Sequence, residues 1–223
     1  LDVMDREELA ERQPRTTPEA LRESPGVFVQ HTNLGGGSPI VRGMVGPQNL
    51  ILIDGIRLNN SVFRSGPLQY LNLIDPLALE RLEVVRGPGS VLYGSDALGA
   101  TFNAIHVEPR DRRGEGFGVN GGLLGRYGSA ARAKTGHALL DAGGGWFGAD
   151  ATFTARHFDD LTGGRGVGAQ PYSGYGQVNG SARTVARFER GLLRDAQVTL
   201  GYNVALMDDV GRADKLEIGR AHV

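Results

Sequence analysis

Residues 195 to 206 alternate without a break. Ala196, Val198, Leu200, Tyr202, Val204 and Leu206 interleave with Asp195, Gln197, Thr199, Gly201, Asn203 and Ala205. Successive side chains of a strand point to opposite faces, so this period puts the large apolar groups on one face. Residues 147 to 157 repeat the pattern, with Phe147, Ala149, Ala151, Phe153 and Ala155 against Asp150, Thr152, Thr154 and Arg156. Residues 117 to 127 and 177 to 189 alternate more weakly, and 134 to 143 more weakly still. Alternating segments of about ten residues suit a membrane barrel that is apolar outside and polar inside. They also suit a soluble antiparallel sandwich with one wet face, and periodicity alone favours the sandwich. No apolar run approaches the roughly 18 residues of a spanning helix, so any membrane crossing would need a closed barrel.

Upstream the texture differs. Residues 5 to 12 read as a short charged helix, and Thr17 caps a second with Pro18 in its first turn. Val27-Phe28-Val29 is a short strand, 31 to 39 a glycine-rich loop, and 50 to 53 a buried strand. Asp54-Gly55 between apolar flanks predicts a tight hairpin, because both central positions of that turn want positive φ. Residues 59 to 70 read as loop, and Asp75 caps a helical turn that starts at Pro76. Short helices, short strands and long loops give a compact α+β unit over 1–110. A change at Asp111-Arg112-Arg113-Gly114 separates it from the alternating region, 114–216.

Residues 79 to 99, LERLEVVRGPGSVLYGSDALG, organise the first unit. Leu82, Val84 and Val85 make a strand that Glu80, Arg81, Glu83 and Arg86 keep strongly charged. Gly87, Pro88 and Gly89 break it. An Arg42-Gly43 pair and the apolar strand ending in Asp54-Gly55 precede it. Tyr93-Gly94-Ser95 and Gly99 follow, then Ala100-Thr101-Phe102-Asn103-Ala104-Ile105. In this order the motifs resemble the plug domain of TonB-dependent outer-membrane receptors. The family usually continues with two glycines where this chain has Gly99-Ala100; Asn103 and Ile105 fit its pattern.

The resemblance implies an α+β plug domain followed by antiparallel strands of an incomplete transmembrane β-barrel, and it reverses the preference for a sandwich. It implies energised uptake of a scarce ligand (an iron chelate, haem, cobalamin or similar) across the outer membrane of a Gram-negative bacterium. Its partners would be the TonB energy-transducing complex, outer-membrane lipid and a small ligand. Loops 31 to 39 and 59 to 70 would face outside, where Phe63, Arg64, Gln69 and Tyr70 can stack on and hydrogen-bond a ligand. Arg42, Arg57, Glu80, Arg81, Glu83 and Arg86 would make wet polar contact with the barrel wall. Phe153, Val198, Leu200, Tyr202 and Val204 would face lipid, and Thr152, Gln197, Thr199 and Asn203 the lumen.

Other chemistries find little support. A net charge of −1 gives no electrostatic case for nucleic acid, and no cysteine means no disulfide or thiolate zinc site. The five histidines lack ligand spacing, so no metal and no cofactor is expected. No nucleophile, base and orienter converge, which argues against an enzyme. Gly87-x-Gly89-x-x-Leu92 only weakly suggests a dinucleotide fingerprint, since its third glycine is absent. The rival from another class is a soluble periplasmic binding module with a β-sandwich tail.

Two expectations concern the chain ends. Leu1 has no leader pattern before it, so the segment that contacts TonB in the resembled family reads as missing. Residues 217–223, ending IGRAHV, resemble translated sequencing-adapter read-through and read as a non-native tail.

Overall fold

A computed structural model describes residues 1–62, 66–67, 69–188, 196–208 and 210–211. β1 (Asp2–Asp5) leads into α1 (Arg6–Arg12). The Asp5 side chain accepts from the Glu8 N–H at 2.9 Å, satisfying one of the amides left open at a helix start. α2 (Thr17–Ala20) has Thr16, not Thr17, at its N-cap. Thr17 is fully buried and donates its hydroxyl to the Ile74 carbonyl at 2.7 Å, so a tertiary contact takes the group expected to cap.

β2 (Val27–Asn33) and β3 (Gly36–Val41) form a hairpin, so most of the stretch expected as the loop 31–39 is strand. Its glycines hid it, because its order comes from neighbours distant in sequence. Asn72 accepts from the Gly37 N–H at 3.1 Å and donates to the Gly37 carbonyl at 2.7 Å. A Cβ on Gly37 would stand 2.7 Å from the Pro18 Cβ.

β4 (Leu50–Ile53) and β5 (Ile56–Arg57) turn at Asp54 and Gly55, with φ of 52° and 79°, as the Asp-Gly pair predicts. Asp75 caps the 3-10 turn Pro76–Ala78 by accepting from the Leu77 N–H. β6 (Leu79–Arg86), α3 (Ser90–Tyr93) and β7 (Ala100–His106) complete the first unit. Its sheet has the order β1-β6-β7-β4-β5, parallel only between β4 and β7. Met4, Leu9, Leu21, Ile51, Leu71, Leu79, Leu82, Val84 and Phe102 pack its core. Gly99 has no room for a side chain, since a Cβ would lie 2.5 Å from Asn49 Oδ1 and 2.6 Å from Met44 Cβ.

The second sheet is a five-stranded antiparallel meander of β8 (Gly118–Gly128), β9 (Ala133–Gly144), β10 (Phe147–Phe158), β11 (Tyr175–Arg187) and β12 (Gln197–Asp208). Each alternating segment of the sequence is one of these strands. The sheet packs against the first unit and is unclosed, with β8 and β12 at its edges.

Candidate functional site

The outward and inward faces of the second sheet obey opposite rules. Along β10, Phe147, Ala151, Phe153, Ala155 and His157 are exposed, while Asp150, Thr152, Thr154 and Arg156 are buried. On the neighbouring strands Asp141, Gln177, Asn179 and Arg183 are buried as well. The strand register aligns the exposed face into rows. The lowest carries Phe117, Phe147 and Val198, the middle Leu123, Phe153 and Val204, and the highest Tyr127, Lys134, His157 and Asp208. From Phe117 to Tyr127 is about 33 Å of strand at ~3.3 Å per residue, or about 25 Å along the normal at a tilt of ~40°. That is the height of the apolar band of an outer-membrane barrel. Trp146, against Phe147 with ring centroids 5.9 Å apart, edges the band at one end, as interfacial aromatics do. The polar row through Lys134 and Asp208 bounds the other.

The inward face meets the first unit through charge and amide contacts. The carbonyls of Asn72 and Leu73 accept from Gln177 Nε2 and Asn179 Nδ2, each at 2.9 Å. The carbonyl of Ile74 accepts from Thr17, and the Asp75 carboxylate accepts from Thr154 and Arg156. Four consecutive residues are thus each tied, three of them to the wall. A second cluster centres on Asp54. Its carboxylate accepts from the His106 N–H at 2.8 Å and from Arg183 at 2.6 Å, and lies 3.0 Å from His106 Nδ1. Burial pushes the Asp54 carboxyl up, but the His106 hydrogen bonds, with Arg183 nearby, outweigh it and hold its pKa below the ordinary value. The third tie is Arg112 to Asp141, whose other oxygen accepts from the Arg110 N–H.

With five wall strands present, the bonds of the residues expected to contact the wall run within the first unit among the described residues. Arg57 donates to Ser95 and Asp96, Arg81 pairs with Glu83, Glu83 accepts from Asn103, and Arg86 donates to the Pro25 carbonyl. Arg42 approaches Gly87, and Glu80 is exposed. Among the residues that do meet the wall, Asp54 and Asp75 read in sequence as turn and cap. Asp54 belongs to the motif, but only the wall's arginines reveal its second role.

The Gly87 and Gly89 amides are also committed, donating at 2.7 Å to the Gly99 and Ala97 carbonyls. A phosphate-cradling loop needs such amides free, which removes the dinucleotide alternative. Asn59 is buried and accepts from the Ile51 N–H.

At one end of the wall, a polar cleft of about 360 Å³ opens between the first unit and the connection after β10. Arg15, Glu19, Arg22, His31 and Asn33 line one side, and Gln170, Tyr172 and Ser173 the other. Burial pushes the Glu19 carboxyl up, yet the Arg15 hydrogen bonds bring its pKa below the usual value. Burial also lowers the His31 pKa, favouring the neutral ring. His31 and Asn33 belong to the stretch 31–39 expected to face outside; the others did not stand out in the sequence, because the two sides lie far apart in the chain. Of the candidate ligand residues, Phe63 and Arg64 lie outside the described residues. Gln69 and Tyr70 are half-buried at the start of the 3-10 turn Tyr70–Leu73.

The first unit is thus held by polar ties against the inward face of a sheet whose other face is apolar. Residues 1–101 match the family model for the TonB-dependent receptor plug domain. Over that stretch, just under half of its length, the chain is similar to the plug of TonB-dependent outer-membrane receptors. The iron-regulated outer membrane virulence protein of Vibrio cholerae serotype O1 is 42% identical over 112 residues, 47% of this chain and 17% of that relative. The vitamin B12 transporter BtuB of Vibrio vulnificus is 32% identical over 122 residues, 54% of this chain and 20% of that relative. The chain therefore spans about a fifth of these relatives' length. Among solved structures, the copper transporter OprC superposes with a TM-score of 0.71 at 21% identity, covering 93% of this chain and 30% of that one. The siderophore receptor PirA from Acinetobacter baumannii gives 0.67 at 20%, covering 92% and 31%. At these identities the structures share the fold.

Proposed function

We propose that this chain is the plug and adjoining wall of a receptor that takes up a scarce ligand across the outer membrane with energy from the TonB complex. The observation that carries the reading is the inverted wall, with charged and amide groups buried against the plug and large apolar groups outside. A soluble sandwich would bury Phe153, Leu200 and Tyr202, which are 54%, 69% and 69% exposed here. The relatives named for iron regulation and vitamin B12 transport favour a metal chelate or a cobalamin as cargo.

The reading divides the chain into a plug over 1–110, wall strands over 114–216 and a non-native tail over 217–223; that tail lies outside the described residues. The end carrying the long connection 159–174 faces outside, since barrels of this kind have short inner turns and longer outer loops. The outer cleft and the loop bearing Phe63, Arg64, Gln69 and Tyr70 then receive the ligand. Polar ties suit a plug that must shift, because separated polar groups can find new partners in water.

Uptake of ferric chelates, haem and cobalamin should be measured in cells expressing the whole receptor, with and without TonB. TonB-dependent uptake of one class is expected. A protein recovered in the soluble periplasm would overturn the reading. Replacing 63–70 by Gly/Ser should weaken surface binding of the transported ligand, and unchanged affinity would remove that loop from the site.

A further inference from the structure

The wall holds one buried carboxylate that the plug contacts do not use. Asp150, on β10, is 6% exposed, and its Oδ1 is buried without a hydrogen-bond partner among the described residues. Strand register sets it directly opposite Arg183 of β11 on one side and Asp141 of β9 on the other. All three face inward, and directly opposed side chains in an antiparallel pair have Cβ atoms about 5 Å apart. Asp141 is engaged by Arg112 and the Arg110 amide. Arg183 reaches past its cross-strand neighbour to the plug side, to Asp54 at 2.6 Å and Glu108 at 3.8 Å. The remaining titratable group here, His106, is bonded to Asp54.

Arg183 thus has acidic neighbours of two kinds. Asp54 and Glu108 travel with the plug, whereas Asp150 is fixed in the wall. If the plug shifts, Arg183 loses both plug carboxylates, and a buried guanidinium left without a partner is strongly destabilising. Asp150 stands directly opposite it across the strand pair and has an unused oxygen. We propose that Asp150 is the resident acceptor for a charge hand-over: Arg183 bonds Asp54 when the plug is seated and swings to Asp150 when the plug is displaced. The exchange keeps the guanidinium paired in both states and lowers the barrier to plug movement without weakening the seated contact. This inference rests on the receptor reading, since it needs a plug that moves.

The test is force spectroscopy on the whole receptor in a lipid bilayer, pulling from the plug's N-terminus. Asp150→Asn keeps the shape and removes the charge. Release at a fixed load should slow about tenfold, the factor that 1.4 kcal/mol of lost compensation gives, while surface ligand affinity stays unchanged. Asp150→Glu should restore fast release. In an Arg183→Gln background Asp150→Asn should have no further effect, because there is no charge to hand over. Release unchanged in Asp150→Asn, faster in it, or still slowed by it in the Arg183→Gln background would overturn the hand-over alone. A wild-type plug that never releases under load would overturn both the hand-over and the receptor reading.

Discussion

The plug sheet and the wall sheet each have five strands, yet they bury opposite halves of their chemistry. In the plug, β6 turns Leu82 and Val84 into the core and leaves Arg81 and Glu83 partly exposed. In the wall, β10 turns Asp150, Thr152, Thr154 and Arg156 inward and leaves Phe153 outside. The same two-residue period serves both, so alternation alone cannot say which face is the inside. On the proposed receptor reading, what decides is the medium on the far side: water around the plug, lipid around the wall. The difference also assigns the work. An apolar core gives the plug its own integrity, and the polar seam lets it be seated without being fused to the wall.

The contrast can be broken at four points. The largest effect should come from Asp75→Ala. It leaves Arg156 buried beside the plug without its carboxylate, and breaking such a pair costs about 3–5 kcal/mol. Chemical denaturation of the refolded chain in detergent should show the loss, and a change within ±0.5 kcal/mol would mean that Arg156 has another partner. Leu82→Ala tests the plug's own logic. The side chain is fully buried, so a loss of about 2–5 kcal/mol is expected in the same assay.

Phe153→Arg tests the wall's outer face at the middle of the apolar band, where an arginine costs about 2–4 kcal/mol in a bilayer. Thr199→Arg, on the inward face of the edge strand and exposed, should cost much less. Equal costs measured on the inserted receptor would show that the lipid face is misassigned. Inward positions on β10 make poor controls, because the plug fills that space.

The smallest effect is the pH dependence of Asp54. Its pKa is lowered in the folded state, so its contribution is fully present above the ordinary value of 3.8 and is lost as pH falls through the lowered one. Stability should therefore decline below about pH 4, and Asp54→Asn, which tolerates the left-handed backbone, should flatten that decline. An unchanged acid limb would place the coupling elsewhere.

Local rules in the sequence determined a great deal. Asp-Gly at 54–55 dictates a hairpin because few pairs accept positive φ at both positions, Asp75-Pro76 dictates a cap and first turn, and five alternating segments dictate five strands. The ordered motifs from Arg42 to Asn103 carry the family resemblance. Only the tertiary structure decided which polar groups do the joining. Asp54 and Asp75 have local roles that fully explain them in sequence, and nothing in their neighbourhood announces Arg183 or Arg156, which lie 129 and 81 residues away. The hairpin at 27–41 was hidden for the same reason. Its glycines have weak strand preference of their own, and the side chain of Asn72 and the ring of Pro18 hold them in place. A local signal needs only neighbours in the chain, whereas a buried ion pair exists only once two distant segments share a space from which water is excluded.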